Sequence, residues 1–191
     1  MPAASAFYFA DIPNRAIALL VDVILLTLVA FVGAAIVSLL AGPAVEFDTA
    51  AEGVGDAVEL NHGVATLDAC LSLVLSAGYF ALSWVRLNAS PGQRLIGIRV
   101  AADGDRAGIT AGQAMARWTA LGAPFAVAAV LATALSLNGV AIFGIPLATW
   151  YAVLLITTAR SSTKQGLHDR LAGTIVAKRA TPLPPSAADA L

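Results

Sequence analysis

Residues 15–41 read RAIALLVDVILLTLVAFVGAAIVSLLA, and past its first position this run holds a single ionisable side chain, Asp22. At 1.5 Å per residue, a helix of about 27 residues crosses a hydrocarbon layer of roughly 30 Å. A soluble core helix is usually shorter and keeps a polar face, which this run lacks. The stretch therefore decides the fold class: it is a membrane-spanning helix. Asp22 lies seven residues beyond Arg15, about 10 Å further along the axis and on nearly the same face. A lone carboxylate there costs on the order of 2.5–3.5 kcal/mol on insertion scales, so it is expected to face protein or water rather than lipid.

The rest of the chain has the same character. Its 191 residues are 59% hydrophobic and 12% charged, with a mean hydropathy of +0.82, well outside the range of soluble domains. The net charge of −1 hides a segregation of charges along the chain. With one cysteine, Cys70, no intramolecular disulfide can form, and Cys70 reads as a small apolar helix residue. His62 and His168 stand alone, so there is no metal-ligand or haem spacing; no metal and no cofactor are expected.

Ahead of the first span, Met1–Asn14 carries the aromatic triplet Phe7–Phe9, of the kind that sits at headgroup level. A cleaved signal peptide would have a shorter apolar region after a basic start, so the first run is read as a retained span. Gly42–Gly63 is a linker with five acids (Glu46, Asp48, Glu52, Asp56, Glu59) and no Lys or Arg. A second span covers residues 64–85, with Asp68 near its start; a polar stretch, 86–117, contains five arginines. The third span is expected over 118–137 and the fourth over 140–159, joined by a tight turn at 136–139. The chain ends in a basic segment and the tail TPLPPSAADAL, expected to be disordered. The predicted organisation is an N-terminal segment (1–14), a membrane domain (15–179) and a tail (180–191).

Charge sets the orientation. Four spans place the N-terminus, the 86–117 stretch and the C-terminus on one side, and all 11 Lys and Arg fall there. The positive-inside rule makes that side cytoplasmic. A three-span arrangement would split the basic residues across the membrane. Within the spans, Pro124 and Pro146 are expected to kink their helices or free backbone groups that neighbours must satisfy. Gly144, Ala148 and Ala152, and likewise Gly122 and Ala126, recur at spacing four and predict a tight helix pair.

The polar segments echo one another. QRLIGIRVA (93–101) matches DRLAGTIVA (169–177) at Arg, Leu, Gly, Val and Ala, and the helices opening each half begin alike, at Arg15-x-x-Ala18-Leu19 and Arg117-x-x-Ala120-Leu121. Asp22 then aligns with Pro124, so only the first copy keeps the buried acid. The predicted fold is an all-α membrane protein with four transmembrane helices in two hairpins, a parallel pseudo-repeat about the membrane normal, and a small cytoplasmic amphipathic/β element. In that element Leu95–Ile96 and Leu171–Ala172 lie on the membrane surface as short turns, with Arg94 and Arg170 at phosphate level. The β-branched strips 98–101 and 174–177 are expected to pair as a ladder.

Arg15 at the mouth of the first span, Asp22 inside it, SPGQRLIGIRV (90–100) and GLHDRLAGTIV (166–176) together resemble the RDD family of prokaryotic membrane proteins, named for one arginine and two aspartates. Asp169 fits the second aspartate by motif, with Asp68 the alternative. The resemblance implies a multi-pass protein of a prokaryotic cytoplasmic membrane. Some relatives are associated with cation/proton exchange and others occur as domains attached to larger membrane assemblies.

The candidate charge site is therefore Arg15, Asp22, Asp68 and Asp169, and the candidate cytoplasmic motif Gly92, Arg94, Gly97, Arg99, His168, Arg170 and Gly173. Two readings of Asp22 stand side by side. As a transport acid, a desolvated carboxylate reached by water exchanges a proton or a small cation. As a staple, it holds helices through a salt bridge to Arg15, Arg94, Arg117 or Arg170. Arg15 is the awkward partner because its side chain leans toward the helix N-terminus, away from Asp22. Asp68 either reaches outer headgroup water or marks, with Asp22, the two ends of a polar path. His168–Asp169–Arg170 reads as the cap of a surface turn, since no nucleophile or metal-ligand set accompanies it. No catalytic residues and no enzyme activity are expected. The expected partners are the bilayer, anionic lipid at the inner face through Arg94, Arg99 and Arg170, and a second copy or a membrane complex. No nucleic-acid partner is expected.

Overall fold

A computed structural model describes residues 7–47, 58–104 and 108–179. The deciding run forms α1 (Ile12–Ala41), with Pro13 in its first turn, where its missing N–H costs nothing. After a short two-stranded ladder, β2 (Val45–Phe47) with β3 (Val58–Leu60), come α2 (His62–Leu87) and the short α3 (Pro91–Ile96). Next are β4 (Ile98–Ala102), α4 (Ala111–Leu121), α5 (Ala123–Ala134), α6 (Gly139–Arg160), α7 (Leu167–Leu171) and β5 (Thr174–Arg179). Helices α1, α2 and α6 are each long and apolar enough to cross a membrane, and most of their apolar side chains are exposed or only half-buried. The chain is a membrane-type, mostly helical protein.

The third span differs from the expected 118–137. Its helix starts earlier, at Ala111, and breaks at Gly122, where α4 and α5 meet at 58°. The 12 residues of α5 reach only about 18 Å, so a fourth crossing requires the bent pair together. Pro124 offers no N–H to the Ala120 carbonyl; the Trp150 indole N–H donates to that oxygen instead, at 2.9 Å. The Tyr151 hydroxyl donates to the neighbouring Leu121 carbonyl at 2.8 Å. Two aromatic donors on α6 thus satisfy the carbonyls released by the bend, as an apolar surrounding demands. Pro146, by contrast, sits inside a continuous α6.

Other expectations are also revised. Phe7–Phe9 is a strand, β1, which pairs with β5 in a three-stranded sheet of order β1-β5-β4. The linker contains the β2–β3 ladder, with Glu46 directly opposite Glu59; Asp48, Glu52 and Asp56 lie outside the described residues, as does the tail. Ala148 and Ala152 are exposed and Gly144 meets only its own helix, so this small-residue face makes no tight pair among the described residues.

The strips expected to pair do so. β4 and β5 run antiparallel in the register Ile98↔Lys178, Val100↔Val176 and Ala102↔Thr174. The hydrophobic core, including Ala18, Trp84, Ile98, Val100, Trp118 and Val176, gathers under this sheet, where α1 begins and α2 ends. Away from that end, α1 packs on α2, α2 on α5, and α5 on α6.

Candidate functional site

Each of the two echoed segments folds as a short helix, a left-handed glycine and a strand. Gly97 (φ 73°) ends α3 and Gly173 (φ 60°) follows α7, and at both places the chain turns into its strand through a conformation that a side chain would strain. Ser90 caps α3 and Gln93 returns the bond, its Oε1 accepting from the Ser90 N–H at 2.9 Å, a capping box visible in sequence as S-x-x-Q. In the second segment Asp169 occupies the place of Gln93, and its carboxylate accepts from the Gly166 N–H at 3.2 Å.

Asp22 is 2% exposed, and its partners all come from α2 and the first segment. Its carboxylate accepts from the Tyr79 hydroxyl at 2.7 Å, from the Ser90 hydroxyl and from the Gly92 N–H at 2.8 Å. None of these donors is charged, and among the described residues Asp22 makes no ion pair. The salt-bridge staple to an arginine is therefore corrected: α3 seats directly against α1, and short neutral donors reach the carboxylate before any guanidinium. The seat is tight. A Cβ on Gly92 would overlap the Ala18 carbonyl oxygen, far inside contact distance, and lie 2.9 Å from the Asp22 carboxylate.

Asp169 is fully buried and lies between two arginines. Arg15 Nη1 reaches it at 2.8 Å, and Arg117 Nη1 binds its other oxygen while donating to the Thr174 hydroxyl at 2.8 Å. Arg15 also ties its Nε to the Ala10 carbonyl at 3.0 Å. Burial alone would raise the Asp169 pKa, but the positive charge of Arg117, helped by His168 and Arg15, holds it down at about 2. Burial lowers His168 to about 4, so near neutral pH its ring is uncharged beside Asp169. Trp84 joins the two clusters: its indole N–H donates to Gln93 at 3.0 Å, and the Arg117 guanidinium lies 5.2 Å from its ring centre.

The expected charge site thus separates into parts. Arg15 belongs with Asp169, not with Asp22. Asp68 stands eleven residues before Tyr79, about 16 Å away along α2, with one buried carboxylate oxygen lacking a partner among the described residues. Arg94 and Arg170 are exposed beside exposed Leu95 and Leu171, and Arg99 is half-buried on β4. Sequence reasoning did not select Tyr79, Ser90 or Trp84, and it treated Arg117 only as one partner for Asp22. The echo of Arg15 at Arg117 and the capping box at Ser90 were the available signals.

Both clusters border one cavity of about 840 Å3, lined by Arg15, Asp22, Arg117 and His168 at one end and by α1, α2, α5 and α6 beyond. A family model described as the RDD family matches residues 9–173. The chain belongs to the RDD family. The match takes in Arg15, Asp22, Asp169 and both echoed segments up to Gly173. Comparison with curated proteins and with solved structures finds no match.

Proposed function

We propose that this RDD protein is a small, non-enzymatic cation/proton transport-related protein, in which Asp22 takes up and releases the exchangeable charge. The observation that carries the reading is the contrast between two buried carboxylates. Asp169 is neutralised by fixed arginines, whereas Asp22 lines the cavity with only neutral donors around it. A carboxylate withdrawn from water without a fixed counter-charge needs a mobile one, a proton or a small cation. The protein is a multi-pass component of a prokaryotic cytoplasmic membrane, with its basic segments and both termini on the cytoplasmic side. Two hairpins form a parallel pseudo-repeat. The β4–β5 register supports this, because its central pair, Val100↔Val176, joins equivalent positions of the two segments and its outer pairs are symmetric about that point.

A second reading has its own support. Ser90 and Gly92 hold α3 on α1 through Asp22, so Asp22 is also suited to fastening the segment in an accessory subunit of a larger membrane assembly. Asp22→Asn in proteoliposomes separates the two. Asparagine keeps one acceptor oxygen, so the transport reading expects retained folding with loss of proton-coupled cation flux. Loss of folding, with no flux in the parent protein, supports the fastening role and overturns transport.

A further inference from the structure

We propose that the cavity is a binding site for one anionic lipid, its headgroup at Arg15, Arg117 and His168 and its chain lying along Val23 and Leu26 toward Ala30. The apolar wall comes first. From Arg15 to Ala30 the cavity follows α1 for fifteen residues, about 22 Å, and one leaflet's hydrocarbon is roughly 15 Å deep. Its volume of about 840 Å3 lies within the range of about 300–1,000 Å3 typical of small-molecule sites. Spread over that length, the volume gives a cross-section of about 40 Å2, roughly half that of a helix about 10 Å across. A helix from a second copy therefore does not fit, and a flexible hydrocarbon chain does. Entry is lateral: Val23 lines the cavity and is 48% exposed at the same time.

The polar end identifies the headgroup. Arg117 is 3% and His168 8% exposed, both line the cavity, and among the described residues Arg117 Nε, His168 Nδ1 and Arg15 Nη2 have no hydrogen-bond partner. Buried guanidinium N–H groups left without acceptors are costly, and they are best met by the oxygens of a carboxylate or phosphate. Within this cluster two guanidiniums also face a single carboxylate, Asp169. The unfilled guanidinium donors call for an anionic oxygen headgroup, and the long apolar wall calls for a chain attached to it. The site is distinct from exposed Arg94 and Arg170, which can meet lipid only at the membrane surface.

Bromine-labelled chains provide the test, because Trp84 and Trp118 line the cavity while being only 2% and 6% exposed. The full chain is reconstituted with phosphatidylglycerol or phosphatidylcholine carrying dibrominated chains, and in a separate arm with dibromostearate. The expected result is several-fold stronger tryptophan quenching by an anionic lipid than by phosphatidylcholine, saturating near one lipid per chain. The phosphatidylglycerol and dibromostearate arms distinguish a phosphate head from a carboxylate head. Ala30→Phe and Ala129→Phe, which fill the cavity from opposite walls, should each reduce quenching several-fold in protein that still elutes as a folded species; either one suffices. Equal quenching by both headgroups, or quenching that both fillings leave unchanged, means only surrounding lipid and overturns the proposal. So does relief of quenching by inorganic phosphate alone, which would mark a soluble anion, or absence of quenching in a protein that elutes as a dimer. The same measurement on Asp22→Asn keeps the result separate from proton exchange.

Discussion

The two echoed segments dock on the bundle with opposite chemistry. In the first, the acid belongs to the span: Asp22 on α1 receives the Ser90 hydroxyl and the Gly92 N–H from the segment. In the second, the acid belongs to the segment: Asp169 on α7 receives Arg15 and Arg117 from the helices α1 and α4. Similar backbones are therefore held by a neutral clamp in one place and a charged clamp in the other. Burial of an ion pair costs desolvation that its own attraction roughly offsets, whereas removal of one partner leaves a bare charge. The charged clamp should accordingly be brittle and the neutral one tolerant.

The sharpest break is Asp169→Asn. It leaves two largely buried guanidiniums without the one carboxylate that they share, and a loss of about 3–5 kcal/mol is expected, read as a large fall in thermal midpoint in detergent. A loss as small as that of Asp22→Asn would erase the distinction. Glycine substitution comes next. Gly92→Ala drives a methyl into the Ala18 backbone carbonyl, and overpacking of that kind costs about 1–3 kcal/mol or more. Gly166→Ala should cost less, because the atoms in its way are side-chain atoms of Thr158 and His168. Equal midpoints for the two variants would show that α3 is not seated against α1 as tightly as the geometry requires.

Much of this fold is legible in the sequence because hydropathy and length are properties of one segment at a time. Residues 15–41 announce α1 with no reference to any other residue, and the strips that form β4 and β5 announce a ladder by their own composition. What was not legible depends on distant partners. The break at Gly122 becomes tolerable only because Trp150 and Tyr151, thirty residues on, supply donors to two carbonyls. The strand at Phe7–Phe9 exists because β5 offers it an edge, and nothing local distinguishes it from an aromatic belt. At the site, the buried acid in α1 could be read, but not its partners. Tyr79 and Ser90 lie 57 and 68 residues away, and the Arg15 side chain turns back to Asp169 across 154.

Acid titration should separate the clamps without mutation. The unfolded chain protonates a histidine near 6.5, the folded one protonates His168 only near 4; between those values the unfolded chain holds more protons, so stability falls as pH drops from about 6.5 to 4. Asp169 has its folded value lowered to about 2 against 3.8, so a further loss follows as pH falls from about 4 to 2. The upper part should amount to roughly 3 kcal/mol at about 1.4 kcal/mol per unit. His168→Gln should flatten the thermal midpoint between pH 6.5 and 4 and leave the lower decline. A variant that kept the upper decline would place its origin outside the charged clamp.

The smallest expected effect tests the neutral clamp. Tyr79→Phe removes one of three donors to Asp22 and leaves Ser90 and Gly92 in place. A hydrogen bond to a charged acceptor contributes about 1.5–3 kcal/mol and one to a neutral acceptor about 0.5–1.5. Thermal midpoints of Tyr79→Phe in the parent and in an Asp22→Asn background therefore form a double-mutant cycle whose coupling reports the state of the carboxylate. Asparagine still accepts from Tyr79, so a coupling near zero fits an Asp22 that is uncharged in the resting protein. A coupling of about 1–2 kcal/mol fits an ionised Asp22, in which case the neutral clamp is as electrostatic as its counterpart.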